Sequence, residues 1–318
     1  MDIRKIYQMF ILGTGNLDDA LRNGLGGVIF FTKDITSESQ FIDLINDIKH
    51  KSIIAPFLSI DQEGGRVERT ESIRPRRLSA QIAYKKGQSF LKQQTEEMAK
   101  ELKGYGINLN FAPCADVNTN PNNPIIGERA FSNIPNEVVE GVNIVSDIYK
   151  SYDIIPCIKH YPGHGDANQD SHKTLPIIDM PFLKLEESHI YPFKKSIEHG
   201  IDMIMAAHLH CTCFDKETIP TSLSPNALKY LREELNYKGL IISDDMIMKG
   251  VSQFGMSEAC ILGINAGLNM FIYRDSEDMT LEVIENVIKK AEKNIDLRDK
   301  IEFSYRKIQS LKDKFRIK

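Results

Sequence analysis

The sequence predicts an α/β chain, a single-domain (β/α)8 barrel of the TIM type, spanning all 318 residues. Three observations lead there. Short apolar runs rich in Ile, Val, Leu, Phe and Met recur eight times, each of strand length and several apolar nearly throughout, as strands covered on both faces read. Between them lie longer segments whose apolar residues fall at helical spacing. No low-complexity stretch or Ser/Pro linker divides the chain, and one barrel of this size accounts for the length. Periodicity does not show closure, so a doubly wound open sheet is the rival arrangement.

The runs are Ile6–Leu12, Gly27–Phe31, Pro56–Ile60, Ile107–Ala112, Ile155–Ile158, Asp202–Ala206, Gly239–Ser243 and Leu268–Tyr273. The first clear helix, Ser37–Lys49, opens on a serine cap and carries Phe41, Leu44, Ile45 and Ile48 on one face. Ser89–Gly104 ends on a glycine, as helices often do. Pro135–Tyr152, Glu186–His199, Ser224–Asn236 and Met256–Ala266 follow, with one or two more helices from Asp278. The last 30 residues hold eleven Lys/Arg against five Asp/Glu. Ile301, Tyr305, Ile308, Leu311 and Phe315 share a face there, which predicts a helix packed outside the barrel with a solvated basic side.

Composition narrows the function. Lys+Arg 40 against Asp+Glu 44 gives a net charge of −4, which excludes polyanion binding over the whole surface. No apolar run has the length of a membrane span, and the N-terminus lacks a secretory pattern. The five cysteines, Cys114, Cys157, Cys211, Cys213 and Cys260, are odd in number and form no Cys-x-x-Cys pair. Reduced thiols in a cytoplasmic protein are expected. Cys211-Thr-Cys213 as a metal or redox pair is the lesser reading.

A barrel places its chemistry at the C-terminal ends of its strands. The third run ends in Asp61-Gln62-Glu63-Gly64-Gly65-Arg66, and the fourth leads into Cys114-Ala115-Asp116. The fifth delivers Lys159 and His160, the sixth His208 and His210, and the seventh Asp244 and Asp245. Any one of these residues could cap a helix or turn the chain. Their convergence on one rim points to a polar active site. The stretch from Lys159 to His172 holds three His, two Asp and one Lys. Two chemistries could use it. Asp170 could fix the tautomer of His172 and support it as a proton carrier near neutral pH. Alternatively His160, His164, His172, His208 and His210 could ligate a metal, although the spacing matches no common zinc signature.

Four blocks occur in the order seen in glycoside hydrolase family 3: Asp61–Arg69 (DQEGGRVER), Gly127–Ser132 (GERAFS), Lys159–His172 (KHYPGHGDANQDSH) with Leu175-Pro176, and Ile242–Asp245 (ISDD). The chain most resembles the β-N-acetylglucosaminidase branch, including single-domain enzymes of bacterial cell-wall recycling. The resemblance implies Asp244 as nucleophile, forming a covalent glycosyl-enzyme that water releases with retention. It implies His172 as acid/base with Asp170 behind it, and Asp61, Arg69, Arg129, Lys159 and His160 as sugar-binding residues. No cofactor and no catalytic metal are expected. In one departure, where the family has Pro-Ser before the next helix, this chain reads Arg76-Arg77-Leu78-Ser79 with Pro75 displaced. The sandwich domain of larger relatives is not seen in the sequence.

The expectation is therefore a retaining exo-β-N-acetylglucosaminidase that releases N-acetylglucosamine from peptidoglycan fragments. Its partner would be a small carbohydrate or muropeptide, with no nucleic acid and no membrane, and its oligomeric state is left open, a monomer being one option. The alternatives are a β-glucosidase-type or phosphate-using enzyme of the same fold, a metal-dependent hydrolase, or a sugar-binding barrel without catalysis.

Overall fold

The computed structural model describes residues 2–167 and 174–318. Eight strands close into a barrel: β1 (Phe10–Gly13), β2 (Gly27–Phe30), β3 (Phe57–Ile60), β4 (Leu109–Asn110), β5 (Ile155–Tyr161), β7 (Met203–Ala206), β9 (Leu240–Asp245) and β10 (Met270–Tyr273). Two further short strands, β6 (Ile177–Ile178) and β8 (His210–Cys211), pair with each other outside it. Neighbours in the barrel are parallel and follow chain order, and β10 closes on β1 with Phe10 opposite Phe271. The closed order decides against the open-sheet rival. Strand residues are buried almost throughout because side chains fill the barrel on one side and helices cover the other.

Each predicted run contains a strand, with edges that moved for local reasons. The first strand starts at Phe10 because Arg4–Tyr7 forms a helical turn with Ile6 buried beneath it. The fourth shrinks to Leu109–Asn110. There the Asn110 side chain bonds Gln62 at both backbone groups, joining β4 to β3 through side-chain contacts instead of a longer ladder. The fifth run extends three residues further than Ile158, so Lys159 and His160 belong to the strand itself. Its register with β7 breaks between Ile158 and Tyr161, and such an irregularity re-aims side chains beside a site.

The helix over Glu38–Lys51 is capped by Ser37, whose Oγ accepts from the Gln40 amide. Gln88–Tyr105 runs one residue past expectation at each end and stops at Gly106, whose φ of 94° is left-handed, so Gly106 and not Gly104 ends it. The segment from Phe182 to Glu198 is helical around one wider turn at Glu186–Ile190. The chain ends in helices Asp278–Glu292 and Ile295–Lys314. Ile301, Ile308, Leu311 and Phe315 of the last stretch are buried as expected. So is Lys312, which closes the N-terminal end of the barrel by donating to Gln8 Oε1 at 2.8 Å and to the Ala55 carbonyl at 2.7 Å. No helix among the described residues is long and apolar enough to cross a membrane.

Candidate active site

A cavity of about 380 Å3 opens at the C-terminal ends of the strands. Asp61, Arg69, Arg129, Lys159, His160 and Asp244, six of the residues singled out from the sequence, all line it. Asp170 and His172 lie outside the described residues.

The segment after β3 turns back sharply because Gly64 and Gly65 take φ of 91° and 61° in succession. A Cβ on Gly64 would stand 2.4 Å from the Leu78 carbonyl oxygen, so glycine is required there. The turn aims Asp61 and Glu63 into the barrel mouth. Lys159 projects between them, with Nζ 2.6 Å from Asp61 Oδ1 and 2.7 Å from Glu63 Oε1. Glu63 in turn accepts two hydrogen bonds from Arg129, each 2.8 Å long. Two carboxylates and two cations thus alternate along one buried ladder. Burial works against the Glu63 charge, but Arg129 and Lys159 overcome it and hold the carboxyl well below its usual range. Burial works against the Lys159 ammonium as well, and Asp61 and Glu63 keep it protonated beyond its usual pH. Arg69 completes the wall, 3.8 Å from Asp61 and over the Phe31 ring at 5.5 Å.

His160 stands at the end of the ladder. Its Nδ1 donates to Asp116 Oδ2 at 2.7 Å, and its Nε2 faces the Arg129 guanidinium at 3.4 Å. That geometry fits a ring that donates from Nδ1 and accepts at Nε2. The other oxygen of Asp116 accepts from the backbone amides of His160 at 3.2 Å and His164 at 2.6 Å. Asp116 is fully buried and its pKa is held down to about 2, burial being outweighed chiefly by His160. His164 is pushed down to about 4 by burial and by the neighbouring His160.

Across the mouth, β9 ends in Asp244 and Asp245. Asp244 Oδ1 accepts from the Asp245 amide at 2.8 Å. Burial opposes its charge, yet His160, His208 and that amide together keep the carboxyl below its usual value. Asp245 differs: burial pushes it up to about 6, with Asp244 adding to the rise. Its Oδ1 accepts from the amides of Ile247 at 3.1 Å and Arg274 at 3.2 Å, and the Arg274 guanidinium lies 3.4 Å from Oδ2. His208 braces the strand end, its Nε2 donating to the Asp245 carbonyl at 3.1 Å and its Nδ1 meeting Ser222 Oγ at 2.7 Å.

The structure therefore joins a rigid carboxylate, Asp244, to a cavity wall of paired charges suited to hydroxyl groups. It also gives two of the strand-end residues, Glu63 and Asp116, partners that the sequence does not show. Glu63 lies in an irregular turn and meets Arg129 66 positions away; its one sequence signal is the two-residue step from Asp61. From sequence Asp116 could cap a helix or belong to the polar rim, and here it orients His160. His210 does not reach the rim, because it lies in β8 and its Nδ1 donates to the Ile219 carbonyl at 3.1 Å. His208, bonded to Ser222 and to the Asp245 backbone, does not join His160 and His164 in a donor cluster. Cys211 is buried and Cys213 half-buried, and both carry free thiols. In place of the displaced Pro-Ser, Ser79 precedes the helix Ala80–Lys85. Arg77 meanwhile bridges the Glu68 and Glu101 carboxylates, so the departure from the family pattern is built into a charged brace.

Known proteins resemble this chain over most of its length. A model of the glycosyl hydrolase family 3 N-terminal domain fits residues 4–311. Beta-hexosaminidase A of Pseudoalteromonas piscicida is 33% identical over 272 residues, covering 78% of this chain and 46% of that protein. The beta-hexosaminidase of Tolumonas auensis is 32% identical over 254 residues, covering 78% of this chain and 75% of that protein. Among solved structures, the family 3 beta-N-acetylglucosaminidase of Paenibacillus sp. str. FPU-7 superimposes with a TM-score of 0.93 at 25% identity, over 99% of this chain and 62% of that one. The chain thus spans less than half of the first relative and under two thirds of this last one.

Proposed function

This chain belongs to glycosyl hydrolase family 3, and on that footing we propose that it is a retaining exo-β-N-acetylglucosaminidase acting on peptidoglycan-derived fragments. The observation that carries the reading is Asp244: a carboxylate kept ionised by its surroundings at the floor of a cavity walled by paired charges. In the proposed reaction its free oxygen attacks the anomeric carbon as the glycosidic C–O bond breaks. His172, oriented by Asp170, gives its proton to the departing oxygen. In the second step water attacks the same carbon, returns a proton to His172 and releases Asp244, so configuration is retained. Asp61, Arg69, Arg129, Lys159 and His160 hold the sugar hydroxyls. Their hydrogen-bonding partners fix them before substrate arrives, which limits reorganisation on binding.

Arg66 and Arg274 also line the cavity, which supports a leaving side that carries carboxylates, as a muropeptide does. The five free thiols support the cytoplasm as its compartment.

The test compares an aryl β-N-acetylglucosaminide with an aryl β-glucoside and seeks an adduct on Asp244 by mass spectrometry after reaction with a fluorinated glycoside. Preference for the first substrate and a labelled Asp244 are expected. D244N is expected to lose at least about 10⁴-fold in kcat while keeping the fold. A product of inverted configuration would overturn the mechanism. A sugar 1-phosphate formed only with added phosphate would make the enzyme a phosphorylase.

A further inference from the structure

Behind the sugar-facing edge of His160 lies a group of side chains that the proposed hydrolysis does not use as a unit. Cys114 Sγ donates to Asp116 Oδ2 at 3.1 Å, and His160 Nδ1 reaches the same oxygen at 2.7 Å. All three residues are buried, and their donor atoms lie within 4.8 Å of one another. Asp116 Oδ1 is tied to two backbone amides, so Oδ2 is the atom turned to the cysteine and the histidine. Cys114 also borders a second cavity, of about 20 Å3, room for one water molecule.

We propose that Cys114, Asp116 and His160 form a site for a thiophilic divalent cation such as Zn2+, and that filling it inhibits the enzyme. Thiolate, carboxylate and imidazole are three ligand types that zinc accepts, and three protein ligands are enough to hold it. The ligand edges of such a site measure roughly 3.3–3.8 Å. The Cys114–Asp116 edge is near that, and the His160–Asp116 edge has to open by about half an ångström.

The charges balance simply. The thiol proton leaves to solvent, and the cation takes its place between thiolate and carboxylate. The imidazole proton moves from Nδ1 to Nε2, freeing the Nδ1 lone pair for the metal. That tautomer turns an N–H toward the Arg129 guanidinium, donor against donor, where an acceptor stood before. His160 is therefore displaced from the cavity wall. The inhibitory consequence rests on the function proposed above; the binding site itself does not.

The experiment uses the whole chain, freed of metal by chelation, and titrates Zn2+ by equilibrium dialysis. One ion per chain is expected, with C114S and C114A each binding at least about 100-fold more weakly. Cobalt substitution provides an optical check: a thiolate-to-cobalt absorption band is expected in the unaltered chain and absent from both variants. Zn2+ is expected to suppress turnover reversibly, with each variant compared to its own metal-free rate. Equal zinc affinity in all three proteins, or no binding, overturns the site. Binding without inhibition overturns the inhibitory role. A chain that binds zinc through Cys114 but hydrolyses no hexosaminide would refute the proposed function and leave the site standing.

Discussion

Two lysines are buried to almost the same degree at opposite ends of the barrel, Lys159 at 2% and Lys312 at 3% relative exposure. At the cavity end, Lys159 touches two carboxylates and stays charged beyond its usual pH. At the closed end, Lys312 meets an amide oxygen, a backbone carbonyl and, at 5.0 Å, the Phe57 ring. Burial there pushes its pKa down to about 7. Burial alone does not decide the charge of a lysine; its partners do. One end of the barrel holds charge in fixed positions for chemistry, while the other tolerates a side chain that seals the floor and sheds its proton.

Substitution is the sharpest way to break the comparison. K159M strands Asp61 and Glu63 without their shared cation and is expected to cost about 3–5 kcal/mol of stability. Sugar binding should be lost with it. Denaturant unfolding and substrate KM together check this, and a variant of normal stability would remove the ladder from the account. K312M, by contrast, is expected to change stability at pH 7 by no more than about 1 kcal/mol, because it gives up hydrogen bonds but also the cost of a buried amine.

Acidity sharpens the comparison further. The folded pKa of Lys312 lies below that of the unfolded chain, so between about pH 7 and about 10.4 the unfolded state binds the extra proton. The parent should therefore gain on K312M as pH rises through this window, by up to about 1.4 kcal/mol per unit, and lose ground at pH 7 and below. Thermal melts of the two proteins from pH 6 to 10 measure it; parallel curves would contradict a buried neutral amine. The smallest effect is expected at Asp245. Protonation near pH 6 removes the anionic partner of Arg274, so an acidic fall in kcat/KM near that pH should shift or disappear in D245N.

Much of this was legible before any coordinates. Asp61, Lys159, His160 and Asp244 stand where apolar runs end or pass into polar residues, and parallel strands gather such positions on one rim. The Ser37 cap and the helix start at Pro135 could be read for similar reasons, since they depend on neighbours a few residues away. Glu63 and Asp116 were harder. Each takes its role from a partner distant in sequence, Arg129 for one and His160 for the other, and local pattern carries no trace of that pairing. His210 misled for the opposite reason: it follows a true strand, but the chain leaves the barrel at Ala206 and spends His210 on a small outer sheet.

The alternating ladder of Asp61, Lys159, Glu63 and Arg129 carries no net charge, and it is largely shielded from solvent. Dissolved ions screen such a group weakly, whereas they screen exposed cations at a pocket mouth well. A neutral monosaccharide should therefore bind the floor of the cavity with nearly the same affinity in dilute buffer and in brine. Any sensitivity to ionic strength would report on what lies beyond the first sugar, near Arg66 and Arg274.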